Sequence, residues 1–200
     1  MKTILQVNAS ILSNEGQSTR LANDFVARFR NGDQLIVRDL ARDPVPHLDA
    51  ERFGAFIAKA DSRTLKQDAL VAYSDGLINE LKQADVIVLG LPMYNFGVPS
   101  TLKAYFDHIA RAGVTFSYTE KGPVGLLTGK KAYVFAARGG IYAGTPRDTQ
   151  TAYVRDFLAF LGITDVEFVY AEGLAIGEAS KTASLAKARE SLHNLVPALV

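Results

Sequence analysis

The 200-residue chain contains no cysteine. Disulfides, thiolate catalysis, cysteine-held zinc and iron–sulfur clusters are therefore excluded. The chain also lacks an excess of charge of either sign, because 22 lysines and arginines nearly balance 21 acidic residues and leave a net charge of +1. That balance gives no electrostatic reason to expect nucleic acid or an anionic membrane as a partner. The composition favours a function on small molecules, with no metal site.

Long apolar runs are missing as well. No stretch approaches the roughly 20 residues that a membrane-spanning helix needs. Residues 1–7 lack the long apolar region and the small-residue cleavage site of a signal peptide, so we expect a cytoplasmic protein. The length suits one domain that buries a full sheet without disulfides or metals, and we expect that domain to span residues 1–200.

Five strand-like runs alternate with helical patterns along the chain. The runs cover residues 3–7, 34–38, 85–90, 131–136 and 166–171. The first, third and fourth are nearly continuous apolar segments, which is typical of strands covered on both faces. Between the runs, apolar residues recur at helical spacing, as at Leu21, Phe25 and Phe29. This pattern predicts a doubly wound α/β domain, with a five-stranded parallel sheet in the order 2-1-3-4-5 and helices on both faces.

Two connections are unusually long for such a domain. Residues 39–62 include an amphipathic piece with Phe53, Phe56 and Ile57, and residues 113–129 form an aromatic, glycine-punctuated excursion. Long loops inside a compact domain are more often functional than idle. We therefore expect both connections to contribute to function.

The loop after the third strand is rich in aromatic and amide side chains. Tyr94, Asn95 and Phe96 follow a buried-type strand and precede Pro99, which marks the start of a helix. Open α/β sheets bind ligands at the carboxyl ends of their strands. Aromatic walls and an amide suit a flat ring with polar edges, although the same residues would also suit a hydrophobic turn that covers the end of the sheet.

The loop after the first strand has the features of a phosphate site. Ser10 and Ser18 supply hydroxyls and Gly16 lies just before a predicted helix, whose N-terminal N–H groups and dipole favour an anion. The alternative is that Ser18 only caps this helix. Neither the glycine pattern of dinucleotide-binding proteins nor that of nucleotide triphosphatases is present, so a monophosphate fits what remains.

The loop after the fourth strand contains Arg138, Gly139 and Gly140. The paired glycines permit positive φ and allow a ligand to approach the backbone. Arg138 would add positive charge at the same edge, unless it is a surface salt-bridge partner. In the predicted strand order these three loops are neighbours, which indicates one cleft with a phosphate site, an aromatic wall and a glycine floor.

The sequence resembles the FMN-dependent NADH:azoreductase and quinone reductase family, flavodoxin-like flavoenzymes of bacteria. The similarity spans essentially the whole chain, and the Met-Tyr-Asn-Phe block at 93–96 together with the Arg-Ala-Gly-Val-Thr-Phe block at 111–116 is specific. Further matches lie at residues 16–18, 102–107, 128–131, 138–140 and 160–162. Two departures are Gly16 and Ala137, which stand where family members often have serine.

The resemblance implies a homodimer with one FMN per subunit. NADH would reduce the flavin in a ping-pong cycle, and a quinone or an aromatic azo compound would then accept two electrons. The implied FMN contacts are Ser10, Gly16, Gln17 and Ser18 at the phosphate, Met93, Tyr94, Asn95 and Phe96 at the isoalloxazine, and Gly139 and Gly140 at its pyrimidine edge, with Ala137 and Arg138 as further cofactor-binding residues. The flavin itself carries the hydride, so no protein residue is assigned as a catalyst and Asn95 is expected to tune the flavin.

The 113–129 excursion is predicted to line the substrate pocket. Phe116 and Tyr118 alternate with polar residues, so both aromatics project to one side of an extended segment. Tyr142 and Phe160 are candidate additions to this wall, from the same subunit or its partner. The alternative is that Phe116 and Tyr118 simply pack the excursion onto the domain.

The same topology also suits three other functions. A one-electron flavodoxin carrier would be expected to have a strongly acidic surface, which the balanced charge does not provide. A regulatory flavin-binding module stays open. A response-regulator domain of the same topology would need clustered acidic residues after the first and third strands, and the sequence has none there.

Overall fold

A parallel sheet forms the centre of the computed structural model, which describes residues 1–195. Its strands are β1 (Thr3–Asn8), β2 (Gln34–Asp39), β3 (Val86–Pro92), β6 (Lys131–Ala137) and β7 (Asp165–Ala171). They are arranged in the order β2-β1-β3-β6-β7, all parallel. This confirms the predicted 2-1-3-4-5 topology, and each predicted strand lies within about two residues of its observed bounds.

Helices cover both faces of the sheet, as predicted. They are α1 (Gln17–Phe29), α2 (Ala50–Ile57), α3 (Leu65–Gln83), α4 (Ser100–Ile109), α5 (Thr151–Phe160) and α6 (Glu178–Leu195), with 3-10 turns at Ser13–Glu15 and Ala60–Ser62. Apolar residues of α1 and α6 form one core cluster against the sheet. Apolar residues of α3, α4 and α5 form a second cluster on the opposite face.

The two clusters explain why the central strands are apolar throughout. In β3, Val86 and Val88 face the α1 side, whereas Ile87 and Leu89 face the α4 side. Because successive side chains of a strand point to opposite faces, a strand covered on both faces buries every position. The edge strands β2 and β7 are only partly buried.

The two long connections contain secondary structure of their own. Residues 39–62 include α2, an amphipathic helix with Phe53 and Ile57 exposed. Residues 113–129 contain an antiparallel hairpin of β4 (Phe116–Thr119) and β5 (Gly122–Gly125), and β4 confirms the extended segment predicted around Phe116 and Tyr118. A Cβ at Gly125 would overlap the backbone of Gly162, so the hairpin lies directly on the turn after α5.

The strand register brings the three predicted loops to one edge. Asn8 pairs with Gly90 across β1 and β3, and Pro92 pairs with Ala137 across β3 and β6. The loops that follow β1, β3 and β6 therefore leave the sheet side by side. Among residues 1–195, none of the helices combines the length and the apolar character that a membrane span requires.

Candidate flavin site at the carboxyl edge of the sheet

The start of α1 is uncapped by any side chain. Gly16 is the N-cap, and Ser18 lies within the first turn, so the alternative reading of Ser18 as the capping residue is wrong. Ser18 and Thr19 are fully buried, and neither hydroxyl has a hydrogen-bond partner among residues 1–195. Buried polar groups are normally satisfied. Free N–H groups at a helix start together with unpartnered hydroxyls are donors for a phosphate-sized anion.

Ser10 and Gly16 lie in close contact within the loop after β1. Ser10 is buried, and its Oγ accepts a hydrogen bond from the N–H of Leu12 at 3.2 Å and lies 3.4 Å from the hydroxyl of Tyr94. A Cβ at Gly16 would overlap the Ser10 side chain. Glycine at position 16 thus permits the close approach of Ser10, which in turn contacts the loop after β3.

The loop after β3 turns tightly between Tyr94 and Gly97, whose backbones exchange hydrogen bonds of 3.1 and 2.9 Å. Asn95 and Phe96 occupy the middle of the turn with φ of 49° and 63°. Asparagine tolerates this left-handed region, but for a bulky residue such as phenylalanine it is strained by about 1–3 kcal/mol. The sequence did not predict this conformation, because the turn has no glycine at either central position.

A pocket of about 240 Å³ lies beside this turn. Its lining consists of Met93, Asn95 and Phe96 on one side and Gly139, Gly140 and Tyr142 on the other. The rings of Phe96 and Tyr142 meet edge to face with centroids 5.5 Å apart. Tyr142, predicted for the substrate wall, therefore lines the same pocket as residues predicted to contact the ring.

The glycines after β6 serve close approach rather than unusual dihedral angles. Neither Gly139 nor Gly140 has positive φ, so that part of the prediction is wrong. A Cβ at Gly140 would lie 2.5 Å from the ring of Tyr142. Ala137, the last residue of β6, is buried, and its carbonyl accepts a hydrogen bond from the N–H of Met93 at 3.0 Å.

Arg138 does not line the pocket: it is a salt-bridge partner, as the alternative stated, but a buried one and not a surface one. Its side chain is fully buried and bridges Asp148 at 3.0 Å and Glu172 at 3.1 Å. Burial works against ionisation of Asp148, but hydrogen bonds from Arg138 and Thr151 outweigh it and hold the pKa of Asp148 below its ordinary value. The guanidinium thus belongs to a buried polar network with Asp148 and Glu172 and is not one of the groups that line the pocket.

The aromatic wall predicted from the excursion is separate from this pocket within one chain. The ring of Phe116 lies 5.4 Å from that of Tyr118 and 4.2 Å from that of Phe160, so the three do form one cluster. Phe116 and Tyr118 line a groove of about 560 Å³ together with α2 residues such as Phe53. None of the three lines the pocket beside the 94–97 turn.

Comparisons with known proteins agree with this geometry. A family model described as a flavodoxin-like fold matches residues 2–196. The chain is 57% identical over 195 residues to FMN-dependent NADH:quinone oxidoreductase 6 of Burkholderia lata, covering 96% of this chain and 98% of that protein. It is 56% identical over 191 residues to the FMN-dependent NADH:quinone oxidoreductase of Cellvibrio japonicus, covering 94% and 96%. An FMN-dependent NADH-azoreductase of Bacillus anthracis, solved in complex with FMN, matches with a TM-score of 0.86 at 27% identity, covering 98% of this chain and 100% of that one.

Proposed function

The chain belongs to the flavodoxin-like family of FMN-dependent NADH:quinone oxidoreductases, and from that premise we propose that it takes hydride from NADH on a bound FMN and passes two electrons to quinones. Aromatic azo compounds are the second class of oxidant, by likeness to the azoreductase structure. The observation that carries the proposal is the uncapped start of α1, with the buried hydroxyls of Ser18 and Thr19, beside a pocket for a flat ring. The oxidants are small molecules, and the protein acts in the cytoplasm as a single FMN-binding domain.

The residues present fit FMN in their donor chemistry. The N–H groups of the first turn of α1 and the hydroxyl of Ser18 bind the phosphate, with Ser10 and Gln17 beside them. Met93, Asn95 and Gly140 hold the ring in the pocket. When bound, FMN supplies the hydride and two-electron chemistry. The protein's own work is to bind the ring, orient it and offer N–H donors to its polar edge, where negative charge is stabilised.

Anaerobic half-reactions test this function. NADH added to the FMN-loaded protein should bleach the flavin absorbance, and a quinone added afterwards should restore it, because in a ping-pong cycle the donor leaves before the oxidant enters. A one-electron carrier or a regulatory flavin-binding module would not be reduced by NADH alone. Flavin that stays oxidised in excess NADH would contradict the proposal.

We further propose that the protein is a homodimer in which each subunit completes the other's substrate pocket. Exposed apolar side chains of α2 and the hairpin, Phe53, Ile57 and Tyr118, lie around one groove. Clustered exposure of this kind marks an interaction surface. A second copy on this surface would place the cluster of Phe116, Tyr118 and Phe160 over the partner's flavin, opposite Tyr142 of that flavin's own subunit.

Replacing Tyr118 with alanine should raise KM for a bulky quinone several-fold, because an aromatic contact contributes about 0.5–1.5 kcal/mol beyond area burial. FMN affinity and KM for a small quinone should barely change. Tyr118 is 74% exposed, so the substitution removes little packing within the subunit. Steady-state kinetics with both quinones is the measurement.

Val124→Ala is the matched control for Tyr118→Ala. Val124 pairs with Ser117 and therefore lies on the opposite face of the hairpin from Tyr118. It should leave both KM values at the wild-type level. An equal response of both quinones to Tyr118→Ala, accompanied by loss of FMN, would instead show that the hairpin aromatics are structural.

Asn95 is expected to tune the flavin, and Asn95→Gly tests that role better than Asn95→Ala. Alanine would have to adopt the φ of 49° that the turn requires, whereas glycine adopts it freely. Asn95→Gly should therefore slow flavin reduction or weaken FMN binding while the Tm of the apoprotein stays near wild type. Normal kinetics with a clearly lowered Tm would show that the amide serves the turn instead.

A further inference from the structure

The side-chain amide of Gln150 is hydrogen-bonded to the backbone on both sides of the strained 94–97 turn. Gln150 lies at the start of α5 and is completely buried. Its Nε2 donates hydrogen bonds to the carbonyl of Pro92 at 2.9 Å and to that of Gly97 at 3.3 Å. Pro92 and Gly97 flank the two ends of the segment that contains Asn95 and Phe96.

The same amide is linked to the buried guanidinium. The Oε1 of Gln150 accepts a hydrogen bond from Nε of Arg138 at 3.3 Å. Arg138 in turn bridges Glu172, whose Oε1 accepts from the N–H groups of Tyr142 and Ala143, both at 2.9 Å. One continuous polar chain therefore reaches both sides of the pocket, the turn after β3 and the loop after β6.

We propose that Gln150 is a positioning residue for the flavin. Its side-chain amide holds the 94–97 turn in the left-handed conformation that shapes the ring pocket. The hydrogen bond from Arg138 to Gln150 sets the distance between that turn and the loop after β6. This inference rests on the proposed function, since it concerns residues of the same site. Gln150 does not line the pocket itself. It acts through the backbone carbonyls that it binds.

The chemistry of this position requires an amide of glutamine length. The Gln150 side chain donates to two carbonyls and accepts from one guanidinium N–H, and a primary amide supplies both kinds of group. A carboxylate could accept from Arg138 but could not donate to Pro92 or Gly97. Strained conformations such as that of Phe96 persist only where the surroundings over-determine them, and these hydrogen bonds provide that constraint.

Gln150→Met tests the proposal, with Val154→Ala as the matched control. Methionine keeps the length of the side chain but removes its donors and its strong acceptor. Val154 lies one turn further along α5 in the apolar core, so its truncation lowers stability without touching either carbonyl. For each full-length variant we would measure the Tm, the amide hydrogen exchange of Tyr94 and Gly97 in the apoprotein, and the Kd for FMN from flavin fluorescence.

Gln150→Met should speed exchange at Tyr94 and Gly97 and raise the Kd for FMN by about tenfold, because the carbonyls of Pro92 and Gly97 lose the donor that Gln150 supplies. Val154→Ala should leave both quantities near wild type despite a lower Tm. Gln150→Glu should behave like Gln150→Met. The proposal would be overturned if Gln150→Met matched Val154→Ala in both amide exchange and Kd for FMN. It would also be overturned if Gln150→Glu bound FMN with the wild-type Kd.

The two measurements separate this inference from the proposed function. Wild-type protein that fails to bind FMN would refute the function, whereas the exchange comparison, made without flavin, would still show whether Gln150 holds the turn. If the wild-type protein binds FMN and Gln150→Met has the same Kd and the same amide exchange, only the positioning role is refuted.

Discussion

Replacing Arg138 with methionine is expected to lower the free energy of unfolding by about 3–5 kcal/mol, the usual cost of removing one partner of a buried ion pair. The substitution leaves the carboxylates of Asp148 and Glu172 without their cation, although both side chains are nearly buried. It also removes the donor that satisfies Oε1 of Gln150. Urea denaturation near neutral pH, followed by circular dichroism, measures the loss.

The cost of Arg138→Met should fall in acid. The pKa of Asp148 is depressed in the folded wild type, so its ionisation stabilises the fold above its ordinary pKa, and this contribution is lost as the pH falls through the folded value. The variant lacks the cation that depresses the pKa, and its stability should therefore depend less on pH in that range. A cost that grows on acidification would contradict the assignment.

Arg155→Met is the control for this prediction. Arg155 lies on the exposed side of α5, where it stacks over Phe168 and donates a hydrogen bond to the carbonyl of Val166 at 2.9 Å. Because this contact is open to water, Arg155→Met should lower the free energy of unfolding by at most about 1 kcal/mol. Equal losses in the two variants would mean that burial of the Arg138 network contributes nothing beyond an ordinary surface contact.

Apoprotein should bind FMN about a hundredfold more tightly than riboflavin, because each charge-assisted hydrogen bond to the phosphate contributes about 1.5–3 kcal/mol. FAD should also bind more weakly than FMN. Its adenylate would have to extend past the closed contact between Ser10 and Gly16. Fluorescence titration of one apoprotein preparation with the three flavins gives the comparison.

Ser18→Ala locates the source of that preference. Removing the buried, unpartnered hydroxyl should weaken FMN binding and leave riboflavin binding unchanged, since riboflavin has no phosphate for Ser18 to contact. Equal affinity for FMN and riboflavin in the wild type, or FAD binding as tight as FMN, would remove the argument for a phosphate site at the start of α1.

The fold was predictable from local patterns because its central strands are buried on both faces. Residues such as Val88 and Leu89 pack into different clusters, so the sequence shows an unbroken apolar run that few other structures require. The alignment of the three ligand loops followed from strand order alone. Helix α2 was also visible as an amphipathic pattern around Phe53.

The features that escaped sequence reasoning depend on contacts between distant residues. Arg138 is buried because Asp148 and Glu172 meet it, and these lie 10 and 34 residues away along the chain. Gln150, more than 50 residues further on, donates hydrogen bonds to the carbonyls of Pro92 and Gly97 on either side of the left-handed turn. A local sequence pattern contains neither set of contacts, so the buried polar network around Arg138 and Gln150 becomes visible only in the folded chain.

A crystal structure of the chain grown with FMN tests the central claim most directly. We expect the phosphate to lie within hydrogen-bonding distance of the first turn of α1 and of the Ser18 hydroxyl. The isoalloxazine should lie in the pocket between Met93–Phe96 and Gly139–Gly140. FMN found only in the groove between α2 and the hairpin, with no phosphate at the start of α1, would contradict the account.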